Sequence, residues 1–367
     1  MKITYIISDI NKAVYFEDTA ISLREKGVNL SFILINSKDG ELDLFLKSNN
    51  FLVYYISCSK ITQSFFAVRN CIKILKKINP KSVHCHLAMA NWIGLCASKL
   101  TGIKKRIYTR HSGEPLNINW KEKLIDKIQN KLATEIIAIT KIIKQLLLKQ
   151  GVSEKKIQLI HHGFKLKRFN EINKIEIERL KEEYNPENKQ PIIGVIARWM
   201  EWKGIHYIIS AFQQLIGDYP NAKILLFGAN TNGDFSEQIQ NALKTLPEDN
   251  YQIISFEKNI FNLYHLFDIY IHVPVNKSCE AFGQTYVESL ASKCPSIFTL
   301  SGIANEFIID GNNAIVVPYK NSMAILEAMK KLIGEKDLQK SLKKNGIESI
   351  KQFNFDNYIN KLIDIYE

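Results

Sequence analysis

What the 367 residues lack narrows the field before anything they contain. No apolar run approaches the roughly 18–20 residues needed to cross a membrane as a helix. The opening ITYIISD is interrupted by Asp9 and Lys12 with no small-residue cleavage site after it, so no secretory leader is expected. The cysteines (Cys58, Cys71, Cys85, Cys96, Cys279 and Cys294) stand singly and form no CxxC, which favours reduced, buried thiols over disulfides or zinc. GxGxxG follows the first strand of neither half, and GxxxxGK[ST] and a GxSxG elbow are missing too. Dinucleotide binding, P-loop phosphotransfer and the serine-hydrolase elbow each lose their fingerprint. There is no Asp-x-Asp, the usual carboxylate pair for a metal that chelates a diphosphate. Acid is also missing locally: from residue 44 to residue 113 there are twelve Lys and Arg and no Asp or Glu.

What is present is ordinary globular composition, 46% hydrophobic and 23% charged, on a chain long enough for two domains. Strand-like runs at 2–8, 28–35, 51–56, 82–86, 105–110, 135–139 and 157–161 alternate with helical patterns such as 14–26, 63–78 and 119–133. A charged stretch, 166–189, reads as a linker with one surface helix. The alternation then resumes with runs at 191–198, 222–229, 252–256, 269–273, 295–300 and 314–318. Such alternation implies parallel sheets covered by helices on both faces. The expected division is a first domain over 1–165, the linker, and a second domain over 190–350. The last helix, within 351–367, is expected to dock back on the body of the first. Two such sheets would bind ligands in a cleft at their strand C-terminal edges.

Charge is spread unevenly. Residues 1–190 carry 33 bases against 18 acids, and the remainder 16 against 19. A basic half beside a nearly neutral one suggests an anionic partner, with nucleic acid, an anionic bilayer or a merely lysine-rich surface all open on charge alone. Lys73, Lys76 and Lys77 together with Lys104, Lys105 and Arg106 are the candidate face. VHCHL at 83–87 crowds His84 and His86 around Cys85 on one strand, but no further ligand cluster supports a metal there.

SCEAFGQTYVESLASKC, residues 278–294, poses a sharper question. Glu280 and Glu288 sit in a segment with no base before Lys293, and an unpaired buried carboxylate is costly. Either both are solvated helix-start residues, or each has a partner in the protein or a ligand. A second pair, Arg198 at a strand end and Lys203 just before Gly204 and a helix, can converge on a phosphate without metal.

Taken in order, these segments resemble the retaining GT-B glycosyltransferases of the large Glu-x7-Glu family (family 4-like, group 1). ARWMEWKGIHYIISAF resembles its Gly-Arg…Lys-Gly…Ala-Phe segment. EAFGQTYVESLASKCPSI resembles its Glu-x7-Glu segment, and GIANEFIIDGNNAIVVP the element after it. IIAITKIIKQLLLKQGVSEKKIQLIHHGFKLKRF, VHCHL and YTRHSGE match parts of its first domain, so the resemblance spans roughly residues 80–320.

The resemblance implies an α/β protein of two Rossmann-like domains facing across a cleft, the GT-B fold. It implies a hexosyltransferase-type enzyme that moves a sugar from a nucleotide-diphosphate sugar to a lipid-linked or envelope-glycan acceptor, with retention and without metal or other cofactor. Arg198 and Lys203 would clamp the diphosphate. Glu280 would bind hydroxyls of the donor sugar and Glu288 the ribose, each carboxylate satisfied by hydroxyls instead of a protein cation. Ala281, Phe282, Gly283 and Gln284 would bring the turn and helix start to the donor, and His111 would lie near the transferred sugar. EAFG departs from the commoner Glu-Gly-Phe-Gly, so the backbone at Ala281 decides whether the change is mild. The loop 8–18 has no glycine where the family often has two, which would reshape the acceptor pocket. The expected partners are the nucleotide sugar, a glycan or lipid-linked acceptor and the inner face of a membrane, with no nucleic acid, for a cytoplasmic, peripheral protein. A phosphorylase of the same architecture and a catalytically silent protein that binds through its basic surface are the competing readings.

Overall fold

The structure, a computed structural model, describes residues 1–58, 60, 63–113, 120–229 and 233–367. Glu114, which ends the YTRHSGE stretch, lies outside them. The chain forms two compact units, Met1–Gly163 with Asp356–Glu367, and Phe164–Phe355.

In the first unit seven strands run parallel: β1 (Lys2–Ser8), β2 (Asn29–Ile35), β3 (Leu52–Ile56), β4 (Ser82–His86), β5 (Lys105–Arg110), β6 (Glu135–Ala138) and β7 (Ile157–Leu159). Their order in the sheet is β3-β2-β1-β4-β5-β6-β7. Six strands of the second unit are likewise parallel: β8 (Ile192–Ile196), β9 (Lys223–Phe227), β10 (Tyr251–Ile254), β11 (Ile269–His272), β12 (Ser296–Phe298) and β13 (Ile315–Val316). They lie in the order β10-β9-β8-β11-β12-β13. Central strands such as KILLF of β9 are buried at every position, as strands covered on both faces require. Both chain orders reverse beside a central strand, so strand C-terminal ends and the loops after them become the natural place for a site.

Two boundaries differ from the sequence expectation. The stretch 166–189 is no linker. It supplies the helices Lys167–Asn170 and Lys174–Tyr184 to the second unit, where Ile177, Leu180 and Tyr184 are buried. The helix Phe355–Tyr366 belongs from Asp356 onward to the first unit. There Tyr366 places its hydroxyl 2.7 Å from His84 Nδ1 and 2.5 Å from the Tyr5 hydroxyl, and Tyr358 meets the Tyr15 hydroxyl. Tyr5, His84, Tyr358 and Tyr366 are buried, so the last helix closes the polar interior of the first sheet rather than lying loosely on it.

Removing the Tyr366 hydroxyl leaves His84 and Tyr5 short of a partner. Tyr366→Phe should therefore cost about 1–3 kcal/mol, read as a lower urea midpoint at unchanged slope. A wild-type midpoint would mean that the helix holds by apolar packing alone.

Candidate functional site

The residues singled out in the second unit gather at the C-terminal ends of β8 and β11. After β8 the chain passes Arg198, which is solvent-exposed and has no side-chain partner among the described residues. It then makes the short turn Glu201–Lys203 and enters the helix Ile205–Asp218. Gly204 joins turn to helix at φ 74°, and a Cβ there would stand 2.2 Å from the Val273 carbonyl oxygen. Only glycine lets the turn lie this close to the residue after β11. Trp202 completes the contact, its carbonyl accepting from Val275 N at 3.0 Å.

That contact sets Lys203 against Glu280. Lys203 Nζ lies 2.5 Å from Glu280 Oε1, and His272 Nε2, from the last residue of β11, lies 3.0 Å from the same oxygen. Glu280 and His272 are buried. Burial alone would raise the Glu280 pKa. The hydrogen bond and charge on its His272 side and the Lys203 ammonium outweigh burial and hold it down to about 2. His272 moves down from the ordinary histidine range because burial, helped by Lys203, outweighs its bond to Glu280. The working state is thus a carboxylate, an ammonium and a neutral imidazole. The expectation that sugar hydroxyls rather than a protein cation satisfy Glu280 is corrected: in the protein alone, Lys203 and His272 satisfy it.

The loop that carries Glu280 is fixed by its backbone. Glu280 N donates to Ser301 Oγ at 3.0 Å, and the Phe282 carbonyl accepts from Ile303 N at 2.9 Å. The buried Phe282 ring stacks on Phe164 with centroids 5.9 Å apart. Ala281 is not among the positive-φ residues, so alanine in place of the commoner glycine brings no backbone strain. Gly283 takes that role at φ 85°, where a Cβ would meet the Tyr286 ring at 2.7 Å. The helix Gln284–Ala291 follows with an exposed Gln284 and no side-chain cap, leaving first-turn N–H groups for a ligand.

Glu288 sits on that helix, half-buried and with a different partner. Tyr264 donates to its Oε2 at 2.8 Å. Burial pushes its pKa up to about 7, with the Tyr264 hydrogen bond opposing the rise. Two glutamates eight residues apart therefore differ in kind: one is a fixed anion, the other titrates near neutrality.

His111 belongs to the first unit, half-buried just past β5. Its Nε2 lies 3.1 Å from His86 Nδ1, and its ring stacks on His162 at 5.6 Å. Burial lowers its pKa to about 4, so at neutral pH it is an uncharged hydrogen-bonding group. His84 and His86 do share a face of β4, with centroids 4.0 Å apart. Among the described residues no group of three His, Cys, Asp or Glu is arranged to hold a metal ion. In the glycine-poor loop, Asp9 itself adopts the left-handed conformation, at φ 54°, and accepts from Asn36 Nδ2. The expected basic face is also narrower than charge alone suggested. Arg106 donates to the Ile103 and Leu132 carbonyls, and Lys105 lies 3.8 Å from Glu135.

His272, Tyr264 and Ser301 were missed as site residues in the sequence. The one signal for the first was a lone histidine at the end of an apolar strand, IYIH.

Comparison with known proteins adds the following. A family model described as Glycosyltransferase Family 4 matches residues 13–168, and one described as Glycosyl transferases group 1 matches residues 176–349. The capsular polysaccharide biosynthesis glycosyltransferase CapM of Staphylococcus aureus is 25% identical over 88% of this chain and 85% of its own length. The alpha-monoglucosyldiacylglycerol synthase of Acholeplasma laidlawii is 23% identical over 68% of this chain and 66% of its own. Among solved structures, Anabaena HepE in complex with UDP and glucose superposes with a TM-score of 0.86 at 18% identity, covering 99% of this chain and 98% of that one.

The raised pKa of Glu288 makes a stability prediction of definite sign. The folded state favours the neutral carboxyl, so that contribution is full below about 4.5 and is lost as pH rises through about 7. Glu288→Gln should gain on the wild type by up to about 3 kcal/mol between pH 5 and pH 9. Urea midpoints measured at both pH values check this, and a pH-independent difference would refute the burial of the carboxyl.

Proposed function

Because the chain belongs to the group 1 glycosyltransferases of GT-B fold, and is an enzyme of that class, we propose a specific reaction for it. It transfers a sugar from a nucleoside-diphosphate sugar, with retention and without a metal, to a glycan or lipid-linked acceptor at the cytoplasmic face of a membrane. The observation that carries the proposal is the 2.5 Å pair of Lys203 and Glu280 at the strand ends, with the unpartnered Arg198 on the same β8 junction. It offers cations for a diphosphate and a fixed anion for sugar hydroxyls. That HepE binds UDP and glucose, and that CapM takes part in capsular polysaccharide biosynthesis, supports the choice of substrates.

Cleaving the sugar–phosphate bond builds negative charge on the departing diphosphate and positive charge on the sugar. Arg198 and Lys203 answer the first, and as fixed charges they are worth most in the transition state. Glu280 accepts hydroxyl protons of the sugar and is no nucleophile. The acceptor attacks from the side the phosphate leaves, and the departing phosphate takes its proton. Glu288, once ionised, accepts from the ribose hydroxyls. His111 acts as a neutral hydrogen-bonding group.

Four tests follow for the chemistry. Arg198→Ala and Lys203→Ala should each lower kcat/KM by an amount equivalent to about 2–5 kcal/mol. Arg198→Ala should do so with little loss of folding stability, whereas Lys203→Ala should also destabilise the fold by leaving the buried Glu280 short of its cation. Glu280→Ala should cut sugar turnover while sparing nucleoside-diphosphate affinity. A nucleoside diphosphate at 100 times its Kd should stabilise the protein by about 2.7 kcal/mol. EDTA should leave activity intact, and recovery by manganese after its loss would refute the metal-free route. A phosphorylase would instead respond to inorganic phosphate and a disaccharide.

The membrane part of the proposal rests on the helix Ser64–Ile78. It buries Ala67, Cys71, Leu75 and Ile78 and turns Phe65, Phe66, Arg69, Lys73, Lys76 and Lys77 to solvent. At 100° per residue these outward positions occupy an arc of about 120°. Phe65 is 73% and Phe66 66% exposed. Exposed aromatic rings beside cations without an acid suit an anionic bilayer surface, and the six free cysteines fit a reducing compartment. Vesicles with acidic lipid should bind the protein and release it as salt rises. Replacing Phe65 and Phe66 by Ala, or reversing Lys73, Lys76 and Lys77, should abolish that binding while a soluble acceptor analogue still turns over. Equal binding to neutral vesicles would refute the electrostatic part.

A further inference from the structure

Glu280 has two basic partners, and they are unequal. Both reach Oε1: Lys203 Nζ at 2.5 Å and His272 Nε2 at 3.0 Å. A carboxylate can only accept, so His272 Nε2 carries a proton and the neutral ring has none on Nδ1. His272 is rooted in the sheet. Its ring stacks on Tyr270 of the same strand at 6.5 Å and receives the Tyr286 ring edge-on at 4.9 Å from the helix Gln284–Ala291. Glu280 faces it from the loop, and Lys203 from the turn Glu201–Lys203. Lys203, by contrast, ends a flexible four-carbon stem at a turn and is the more exposed of the two.

We propose that His272 is a positioning residue which keeps Glu280 aimed when Lys203 leaves it for the donor diphosphate, and that His272 takes up a proton as Lys203 departs. The proposal rests on the donor reading above. Lys203 cannot grip the diphosphate fully while it is bound to Glu280, so the ion pair must open or be shared when the nucleotide arrives. Burial is the main influence against protonation of His272, and the Lys203 ammonium adds to it. Departure of the ammonium removes that second influence while Glu280 remains beside the ring, and the incoming phosphates add negative charge. The proton comes from solvent and enters at Nδ1, since Nε2 already holds one. No covalent bond between heavy atoms changes. The imidazolium then balances Glu280 on one oxygen and leaves Oε2 for the sugar hydroxyls.

The test is calorimetric titration of UDP, GDP and ADP into wild type, His272→Gln, His272→Leu and Lys203→Ala at pH 6.5, in buffers of different ionisation enthalpy. The slope of observed enthalpy against buffer enthalpy counts protons. Protons released by the nucleotide itself are common to all the proteins and cancel in the differences. Wild type should take up more protons than His272→Gln, and Lys203→Ala should show less of the extra uptake because its imidazole is free of the ammonium before the nucleotide arrives. Gln retains an N–H in the place of Nε2 and should hold kcat near neutral pH within about threefold, whereas Leu should lose about tenfold or more in kcat with little change in nucleotide affinity. Equal proton counts in wild type and His272→Gln, or wild-type kcat in the Leu variant, would overturn the proposal while the donor reading stands. If no nucleoside diphosphate binds the wild type, the donor reading falls and takes this proposal with it.

Discussion

An ionised carboxylate enclosed at the end of a parallel sheet has to be met by positive charge or by several donors, and the second unit is arranged around that need. Taking Glu280 out of water costs far more than one neutral hydrogen bond returns. Its position therefore dictates a left-handed Gly204, a turn laid on the end of β11, and a histidine as the last residue of that strand. Removing any one of them weakens the support of that charge. The same need explains why the arrangement is usable. A carboxylate stabilised by a lysine on a flexible stem can exchange that partner for a ligand; in the proposed function the lysine would gain a diphosphate as the carboxylate gains hydroxyls.

Glu288 shows the opposite solution eight residues later. It has a buried tyrosine hydroxyl for a partner and no cation among the described residues, so it escapes the cost of charge by staying protonated until pH approaches about 7. In the proposed function a ribose with two hydroxyls would supply the donors that let it ionise. The pair thus separates by environment what residue type alone does not distinguish, one glutamate holding its charge across the neutral range and the other ionising only as pH passes about 7.

Much of this was legible in the sequence. Each of the thirteen strands described falls within or beside a run rich in apolar residues, because strands covered on both faces are largely apolar. The helix 14–26 was placed to within a residue by its periodicity. The stretch 166–189 misled because its charge density hid a narrow apolar stripe: Ile177, Leu180 and Tyr184, three and four residues apart, are enough to dock a short helix. At the site, Arg198, Lys203, Glu280 and Glu288 stood out as charges in apolar surroundings. Their pairing did not, since Lys203 and Glu280 are 77 residues apart and meet only because a crossover returns β11 beside β8. His272 was hidden for a different reason. A single histidine in an apolar strand looks like any core residue until the loop eight positions later folds back on it.

The first unit handles buried polarity without charge at all. His84, His86, His111 and His162 lie in one group of rings, and burial lowers the pKa of each so that none carries a proton charge at neutral pH. The tyrosines of the last helix reach into the same interior, and Tyr366 holds His84 directly. A neutral imidazole can donate at one nitrogen and accept at the other, so such a group can orient a hydroxyl without drawing in a counter-ion. The second unit instead needs fixed charge, because its proposed ligand leaves with more negative charge than it brought. Neutral rings in one sheet and a charged strand end in the other suit the proposed reaction between a hydroxyl and a diphosphate sugar: such an acceptor would remain uncharged until attack, and the leaving group would find its cations already in place.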